Sequence, residues 1–267
     1  MTDIVLIGAA GRMGRAVTDA LVSPPAISPA GTDPGADTLR LKARIDRPGV
    51  ASPADEAAPW GHDAAAVIAP GDVVIEFSTP ATAAAVAALC GERGAALVSG
   101  TTGLDAAEEG ALEKAARRVA VVRSANFSLG VLALRRALAA ALATLPETWD
   151  VEIVERHHRG KQDAPSGTAL RLAQDAADRR GYPATALRSG RSGRLGPRPH
   201  AEIGLHALRG GTWVGDHAVV LAGTGEWLEL RHVAEDRGAF AHGVVAAARF
   251  AATAPAGFYT LEDVAGR

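Results

Sequence analysis

From Met1 to about Asn126, short apolar runs alternate with stretches in which apolar residues recur every third or fourth position. IVLIG, from Ile4 to Gly8, is a continuous apolar run closed by a glycine, as a strand buried on both faces should be. Between Arg12 and Val22, Met13, Val17 and Leu21 stand at helical spacing. LRLKARID (Leu39 to Asp46) alternates apolar with polar and predicts a second strand; DVVIEF (Asp72 to Phe77) predicts a third. Pro80, placed to open a helix, starts an alanine-rich stretch that runs to about Leu89. AALVSG (Ala95 to Gly100) and VAVVRS (Val119 to Ser124) predict a fourth and a fifth strand, with a helix from about Ala106 to Arg117 between them. Strand and helix alternating in this way imply right-handed crossovers and an open parallel sheet with helices on both faces. Ser23 to Asp37 has no periodicity and is rich in Pro, Gly, Ser and Asp, so it predicts a surface loop.

After Asn126 the pattern changes. A long apolar helix (Leu129 to Leu145) leads to the strand DVEIVERH and to a helix starting near Pro165. Strand-like runs with glycine turns follow, AEIGLHALRGGTWVGDHAVVLAGTGEWLELRHVAE, and predict a mixed or antiparallel sheet. A second domain is therefore expected from about Asn126 to Asp236. The helix from Phe240 to Ala252, and the tail to Arg267, can return to either domain on this pattern alone.

Composition narrows the function classes. The chain has 267 residues, 48% of them hydrophobic and 22% charged, which suits a soluble globular protein with a substantial core. A net charge of -2 argues against a nucleic-acid partner and makes any anion site a local one. The single cysteine, Cys90, excludes an internal disulfide; with no basic-then-apolar leader at Met1, the expected compartment is the cytoplasm. No apolar run reaches the roughly 18 residues of a membrane helix, so no membrane partner is expected.

Directly after the first strand stands Gly8-Ala9-Ala10-Gly11-Arg12-Met13-Gly14, a GxxGxxG pattern opening a helix. Glycines there permit a tight turn and let main-chain N–H groups approach a pyrophosphate at the positive end of the helix dipole. By itself the pattern also describes a strand-to-helix turn that binds nothing; its place in an alternating α/β pattern favours a Rossmann-type domain. Asp46, which ends the second strand, is the candidate acid for the adenosine ribose and favours NAD, whereas Arg47 beside it favours the 2′-phosphate of NADP. Both NADH and NADPH remain open. Phe77-Ser78-Thr79, Gly100-Thr101-Thr102-Gly103 and Ser124-Ala125-Asn126-Phe127 fall at strand ends that should line the same crevice.

The densest chemistry lies in ERHHRGKQDAPSGTALRLAQ, from Glu155 to Gln174. Asp163 and Ser166 are candidate caps, Pro165 suits a first helical turn, and Gly167 and Thr168 bring N–H groups to a helix start that attracts a carboxylate or phosphate. Lys161, His157 and His158 flank it with charge and a titratable proton. A histidine pair alone is more often an ordinary strand feature, and no cysteine or paired carboxylate completes a zinc site, so no metal is expected. Acid, lysine and helix start together, next to a nicotinamide domain, describe a reductase of a small carboxylated substrate. The basic residues Arg188, Arg191, Arg194 and Arg198 are expected in a solvated loop near an acidic ligand or subunit.

These residues resemble the 4-hydroxy-tetrahydrodipicolinate reductase (dihydrodipicolinate reductase) family. EIVERHHRGKQDAPSGTA, from Glu152 to Ala169, is similar to its signature, and GAAGRMG, FSTP, GTTG, NFSLG, RSGRLGPR, GGTWVGDH and GEWLELRHVAEDR follow in the family's order. Glu76 stands where the family more often has aspartate, and Gly160-Lys161-Gln162 also departs from its usual residues. The resemblance implies an NAD(P)H-dependent reduction in diaminopimelate and L-lysine biosynthesis. It implies His157 as the acid, Lys161 as its catalytic assistant, and His158, Ser166, Gly167 and Thr168 as holders of the substrate's carboxylates. The cofactor would contact Gly8, Ala9, Ala10, Gly11, Arg12, Met13, Asp46 or Arg47, Phe77, Gly100, Thr101, Thr102, Ser124, Ala125, Asn126 and Phe127. It further implies a homotetramer built through the second domain's sheet, a hinge, and a final helix packed on the cofactor domain. The expected architecture is thus α/β: a Rossmann-type parallel-sheet domain (1–125 and about 237–267) plus an α+β domain with a mixed or antiparallel sheet (126–236) for substrate binding and oligomerisation. Another nicotinamide-dependent amino-dicarboxylate dehydrogenase, or a dinucleotide sensor without chemistry, are the alternatives; a sensor has no need of His157 and Lys161.

Overall fold

The computed structural model describes residues 1–22, 38–52 and 57–266. The predicted loop at Ser23 to Asp37 lies outside them. The chain divides into two compact units, Met1–Leu129 with Arg237–Arg267, and Gly130–Asp236.

The first unit holds a seven-stranded parallel sheet. Its strands are β1 (Thr2–Ile7), β2 (Leu39–Ile45), β3 (Trp60–Gly61), β4 (Val73–Glu76), β5 (Ala96–Ser99), β6 (Ala120–Arg123) and β12 (Gly257–Tyr259), in spatial order β12-β6-β5-β4-β1-β2-β3. The continuous apolar runs become the central strands, and Ile4, Val5, Leu6, Val73, Val74, Ile75, Leu97 and Val98 are fully buried. Helices α1 (Arg12–Val22), α2 (Pro80–Arg93) and α3 (Ala106–Ala116) form the crossovers. Thr79 caps α2 by accepting the Thr82 N–H, and Gly94 ends it at φ 71°, a few residues beyond the predicted stop. Asp105 and Glu108 close a capping box on α3. The helix α6 (Gly238–Thr253) packs on α1 and β5 within this unit. A Cβ on Gly243 of that helix would lie 1.8 Å from the Phe127 carbonyl oxygen, so helix and chain meet at main-chain distance. Phe127 also meets Phe77 edge to face, and the first unit extends to Leu129, past the expected Asn126. The strands β3 and β12, two and three residues long, are additions that no periodic pattern of that length can announce.

In the second unit, α4 (Leu129–Thr144) and α5 (Gly167–Arg180) cover one face of a five-stranded mixed sheet. Its strands β7 (Asp150–His157), β8 (Leu187–Ser189), β9 (Ile203–Arg209), β10 (Gly215–Ala222) and β11 (Trp227–Ala234) lie in the order β11-β10-β7-β9-β8. β7 is antiparallel to β10 and parallel to β9. Along β7, Val151, Ile153, Glu155 and His157 are buried while the residues between them are half-buried. Val151 and Ile153 join Leu138, Leu172, Ile203, Leu205, Val219 and Leu221 in the core beneath the helices. A strict two-residue alternation thus carries an acid and a histidine, Glu155 and His157, onto the helix-covered face.

Candidate active site

At the nucleotide end of the first unit, β1 runs into Gly8 at φ 78°. A Cβ there would sit 2.0 Å from the Phe77 carbonyl oxygen, so both the dihedral and the neighbour require glycine. At Gly14 a Cβ would lie 2.3 Å from the Gly8 oxygen, so that glycine lets α1 rest on the loop. The first turn of α1 contains no acidic residue of its own. Asp46, at the end of β2, accepts the Ala10 N–H at 2.8 Å and the Arg47 N–H at 2.8 Å. A carboxylate is therefore held over the glycine loop. Main-chain loop, positive helix end and neighbouring acid together fit a dinucleotide.

The strand ends beside it are locked to one another. The Phe77 ring fills the space that a Cβ on Gly100 would take, at 2.0 Å, and packs on Phe127 with ring centroids 6.0 Å apart. Glu76, fully buried, accepts the Ser78 N–H at 2.7 Å and the hydroxyls of Ser99 at 2.9 Å and Thr101 at 2.6 Å. Thr101, itself buried, therefore turns its hydroxyl inward to Glu76. Ser124 donates to the Asn126 carbonyl at 2.7 Å, and the Asn126 side chain accepts the Ser128 N–H at 2.8 Å. Among the predicted cofactor residues, Ala9 and Ala10 lie in the loop beside Asp46, and Met13 is half-buried. Gly11, Arg12, Arg47, Thr102 and Ala125 are exposed.

In the second unit, His157 closes β7 on the helix-covered face. Its Nδ1 lies 2.6 Å from Glu155 Oε2. An ionised carboxylate only accepts, so the proton between them belongs to His157 Nδ1. Glu155, 1% exposed, is also held by the Arg209 fork at 2.7 and 2.8 Å and by the Ser166 N–H at 3.0 Å. Arg209 stands opposite His157 on β9 and donates to the Asp163 carbonyl at 2.6 Å, tying down the segment that carries Lys161. Lys161 Nζ pairs with Asp163 at 2.8 Å, on a carboxylate that is 59% exposed. His158 donates its main-chain N–H to the Trp213 carbonyl at 2.8 Å. Ser166 is the N-cap of α5: its hydroxyl accepts the Ala169 N–H at 3.2 Å and lies 3.1 Å from His217 Nε2. Pro165 thus precedes the cap and does not form the first turn, and Asp163 serves Lys161 and not the helix. Gly167 and Thr168 begin α5 as expected from the sequence.

The charges settle accordingly. Burial alone would raise the Glu155 carboxyl, but Arg209, His157 and the Ser166 N–H outweigh it and hold it below the ordinary range. Burial lowers His157, opposed by Glu155 and reinforced by the positive charges of Lys161 and Arg209. Burial, with His157 beside it, takes His217 down to about 4, so it stays neutral near physiological pH. Arg191 and Arg198 of the basic loop fold back onto Glu152 at 2.7 and 2.9 Å, and so onto this chain's own sheet. No group of three or more His, Cys, Asp or Glu with metal-binding geometry occurs among the described residues.

Three residues of this arrangement escaped the sequence reading: Glu155, Arg209 and His217. Glu155 was legible in principle, being two positions before His157 on an alternating strand. Arg209 and His217 reach the site only through strand pairing distant in sequence.

Comparison with known proteins places these two half-sites in context. Residues 2–127 match the family described as Dihydrodipicolinate reductase, N-terminus, and residues 130–265 match Dihydrodipicolinate reductase, C-terminus. The 4-hydroxy-tetrahydrodipicolinate reductase of Anaeromyxobacter sp. (strain Fw109-5) is 42% identical over 275 residues, covering 100% of this chain and 98% of the relative. That of Alkalilimnicola ehrlichii is 42% identical, covering 99% of each. Among solved structures, a dipicolinate-bound dihydrodipicolinate reductase from Paenisporosarcina sp. TG-14 shares the fold, with TM-score 0.75, 24% identity and 97% of both chains covered. The DAP dehydrogenase of C. glutamicum also shares it, at TM-score 0.51 and 14% identity, over 97% of this chain and 92% of that one. Matched across both halves and nearly end to end, the chain belongs to the dihydrodipicolinate reductase family.

Proposed function

We propose that the protein reduces 4-hydroxy-2,3,4,5-tetrahydrodipicolinate to 2,3,4,5-tetrahydrodipicolinate with NADH or NADPH, in diaminopimelate and L-lysine biosynthesis. The observation that carries this is the match of both units to the family over residues 2–127 and 130–265, with the segment from His157 to Thr168 inside it. Replacing a ring C–OH by C–H consumes one hydride and one proton and releases water. The bound reduced nicotinamide supplies the hydride.

The chain's own residues do the rest. Gly8 to Met13 and the start of α1 hold the pyrophosphate, and Asp46 or Arg47 reads the adenosine ribose. The strand ends at Phe77, Gly100 to Thr102 and Ser124 to Phe127 shape the nicotinamide side. Lys161, His158 and the start of α5 at Ser166, Gly167 and Thr168 hold two carboxylates, main-chain N–H groups and a cation each suiting an anion. Loss of the ring hydroxyl as water leaves a conjugated C=C–C=N system for the hydride to add to; His157 gives the proton to the enamine-like carbon that the addition leaves, and Lys161 stabilises the anion while it forms. Asp163 keeps Lys161 placed until a substrate carboxylate replaces it, because an exposed ion pair holds only weakly.

The assembly we propose is a cytoplasmic homotetramer formed through the second unit's sheet. Strand register puts Leu208, Trp227 and Val233 on its helix-free face, where they are 40%, 64% and 50% exposed. No helix among the described residues is long and apolar enough to cross a membrane.

The test follows absorbance of NADH and, separately, NADPH while the substrate is generated in place by the preceding synthase from pyruvate and aspartate semialdehyde. Oxidation that requires the synthase is expected, and the two rates rank the cofactors. Tight NADH binding without oxidation would instead favour a sensor or another dehydrogenase.

A further inference from the structure

Glu155 is a buried carboxylate that no step of the chemistry touches. It is 1% exposed, yet it takes four hydrogen bonds from three residues: from His157 on its own strand, from both terminal nitrogens of Arg209 on β9, and from the Ser166 N–H at the start of α5. A carboxylate that only secured the helix start would need the N–H alone. One that only neutralised Arg209 would need the fork alone. The remaining contact, 2.6 Å to His157 Nδ1, orients the ring and fixes which nitrogen carries the proton in the neutral form.

The other ring nitrogen faces a different setting. At Gly215, opposite on the neighbouring strand, a Cβ would stand 3.4 Å from His157 Nε2, so a glycine leaves that nitrogen room. Two other groups that act on the ring are positively charged, and the nearest ring partner is neutral. Lys161 and Arg209 both disfavour a second proton on the imidazole, and His217, neutral and 5.1 Å away ring to ring, offers no charge. Among the described residues, Glu155 is the carboxylate hydrogen-bonded to the ring, and Arg209 keeps it ionised.

We propose that Glu155 is a positioning residue for proton donation: it holds His157 with Nδ1 protonated, so that Nε2 is the nitrogen that gives up its proton, and Arg209 holds Glu155 in place for that purpose. The inference rests on the reading of His157 as the acid. In the step itself the Nε2–H bond breaks and a C–H bond forms at the substrate carbon. The Nδ1–H bond and the Glu155 carboxylate are unchanged, the ring becomes neutral, and Nε2 regains its proton from water. Glu155 touches no reacting atom.

Two measurements test this. In the unsubstituted enzyme, nitrogen NMR of the imidazoles above the titration of His157 is expected to show Nδ1 protonated and Nε2 bare; the opposite tautomer overturns the proposal whatever the kinetics. The second is kcat against pH for Glu155→Gln. Activity of an acid falls as pH rises through its titration. Removing the negative charge makes the imidazolium easier to deprotonate, so the falling limb should move to lower pH by about one pH unit. KM and the dissociation constant of dipicolinate, used as the probe diacid, should change less than about threefold, the carboxylate holders being intact. A purely structural role for Glu155 would lower kcat or raise KM with the limb unmoved, and that result would also overturn the proposal. His157→Gln separates the underlying assignment: if it retains turnover, His157 is not the acid. If it is inactive and the limb of Glu155→Gln stays put, the acid stands and the positioning role falls.

Discussion

The nucleotide end of the first unit and the acid-bearing end of the second offer different materials to a ligand. Around Gly8, Gly14 and Gly100 the working surface is main chain, and its shape depends on side chains being absent: a Cβ at any of these would lie within 2.3 Å of a neighbour. Around His157 the working groups are side chains, and their shape depends on further side chains, Glu155, Arg209 and Ser166, that hold them. A pyrophosphate is a fixed, diffuse anion that N–H groups and a helix dipole match well. A proton transfer needs a titratable nitrogen aimed at one atom, which main chain cannot supply. The first region should therefore fail when volume is added, and the second when a polar atom is removed.

The largest effect should come from removing the proposed acid or its lysine. His157→Ala, and separately Lys161→Ala, is expected to lower kcat by roughly 10²–10⁴-fold. Titration calorimetry should find the dissociation constant for NADH nearly unchanged. Parallel loss of NADH binding would erase the division of labour between the two regions.

Adding one methyl group at Gly8 tests the other side. Gly8→Ala places a Cβ 2.0 Å from the Phe77 oxygen at a φ of 78°. The dihedral alone costs roughly 1–3 kcal/mol, and the backbone clash adds to that. The expected outcome is a lowered thermal midpoint together with lost nucleotide binding, while dipicolinate binding to folded protein survives. A variant that binds NADH normally would show the loop to be less tightly built than the contact implies.

The same contrast explains what the sequence disclosed. Main-chain sites announce themselves because glycine has few other reasons to recur as Gly8, Gly11 and Gly14 after an apolar run. The strands from Ile4, Leu39, Asp72, Ala95 and Val119, and the helix at Arg12 to Val22, were legible from periodicity alone. His157 and Lys161 stood out as candidates because they share one short segment with a helix start. Arg209 did not: it is 52 positions beyond His157 and meets it only because β9 pairs in parallel with β7. The partner of Thr101 was hidden for a similar reason: its hydroxyl donates to Glu76, 25 residues earlier in the chain.

A smaller effect should distinguish the two candidate cofactor readers. Asp46→Ala removes a carboxylate held over the glycine loop and is expected to weaken NADH by roughly tenfold, about 1.5 kcal/mol, with less effect on NADPH. Arg47→Ala should do the reverse. Calorimetry with both nucleotides on both variants decides it; unchanged constants throughout would mean that another residue reads the ribose.

The smallest effect concerns a charge cluster outside either site. Glu152, on the helix-free face of the second unit's sheet, meets Arg191, Arg198 and His206. Burial opposes its ionisation, but these partners prevail and bring it from 4.5 down to about 2. A depressed carboxylate stabilises the fold above its unfolded value and loses that contribution as pH falls through the folded one. Glu152→Gln should therefore unfold in less urea than the unsubstituted protein near neutral pH, by on the order of 1 kcal/mol. The two curves should converge as pH drops from 4.5 toward about 2. Turnover should be unaffected near neutral pH, because Glu152 faces away from His157 across the sheet. If kcat fell with stability, the open face of the sheet would be coupled to the acid on the other, and the site would extend through the sheet that carries it.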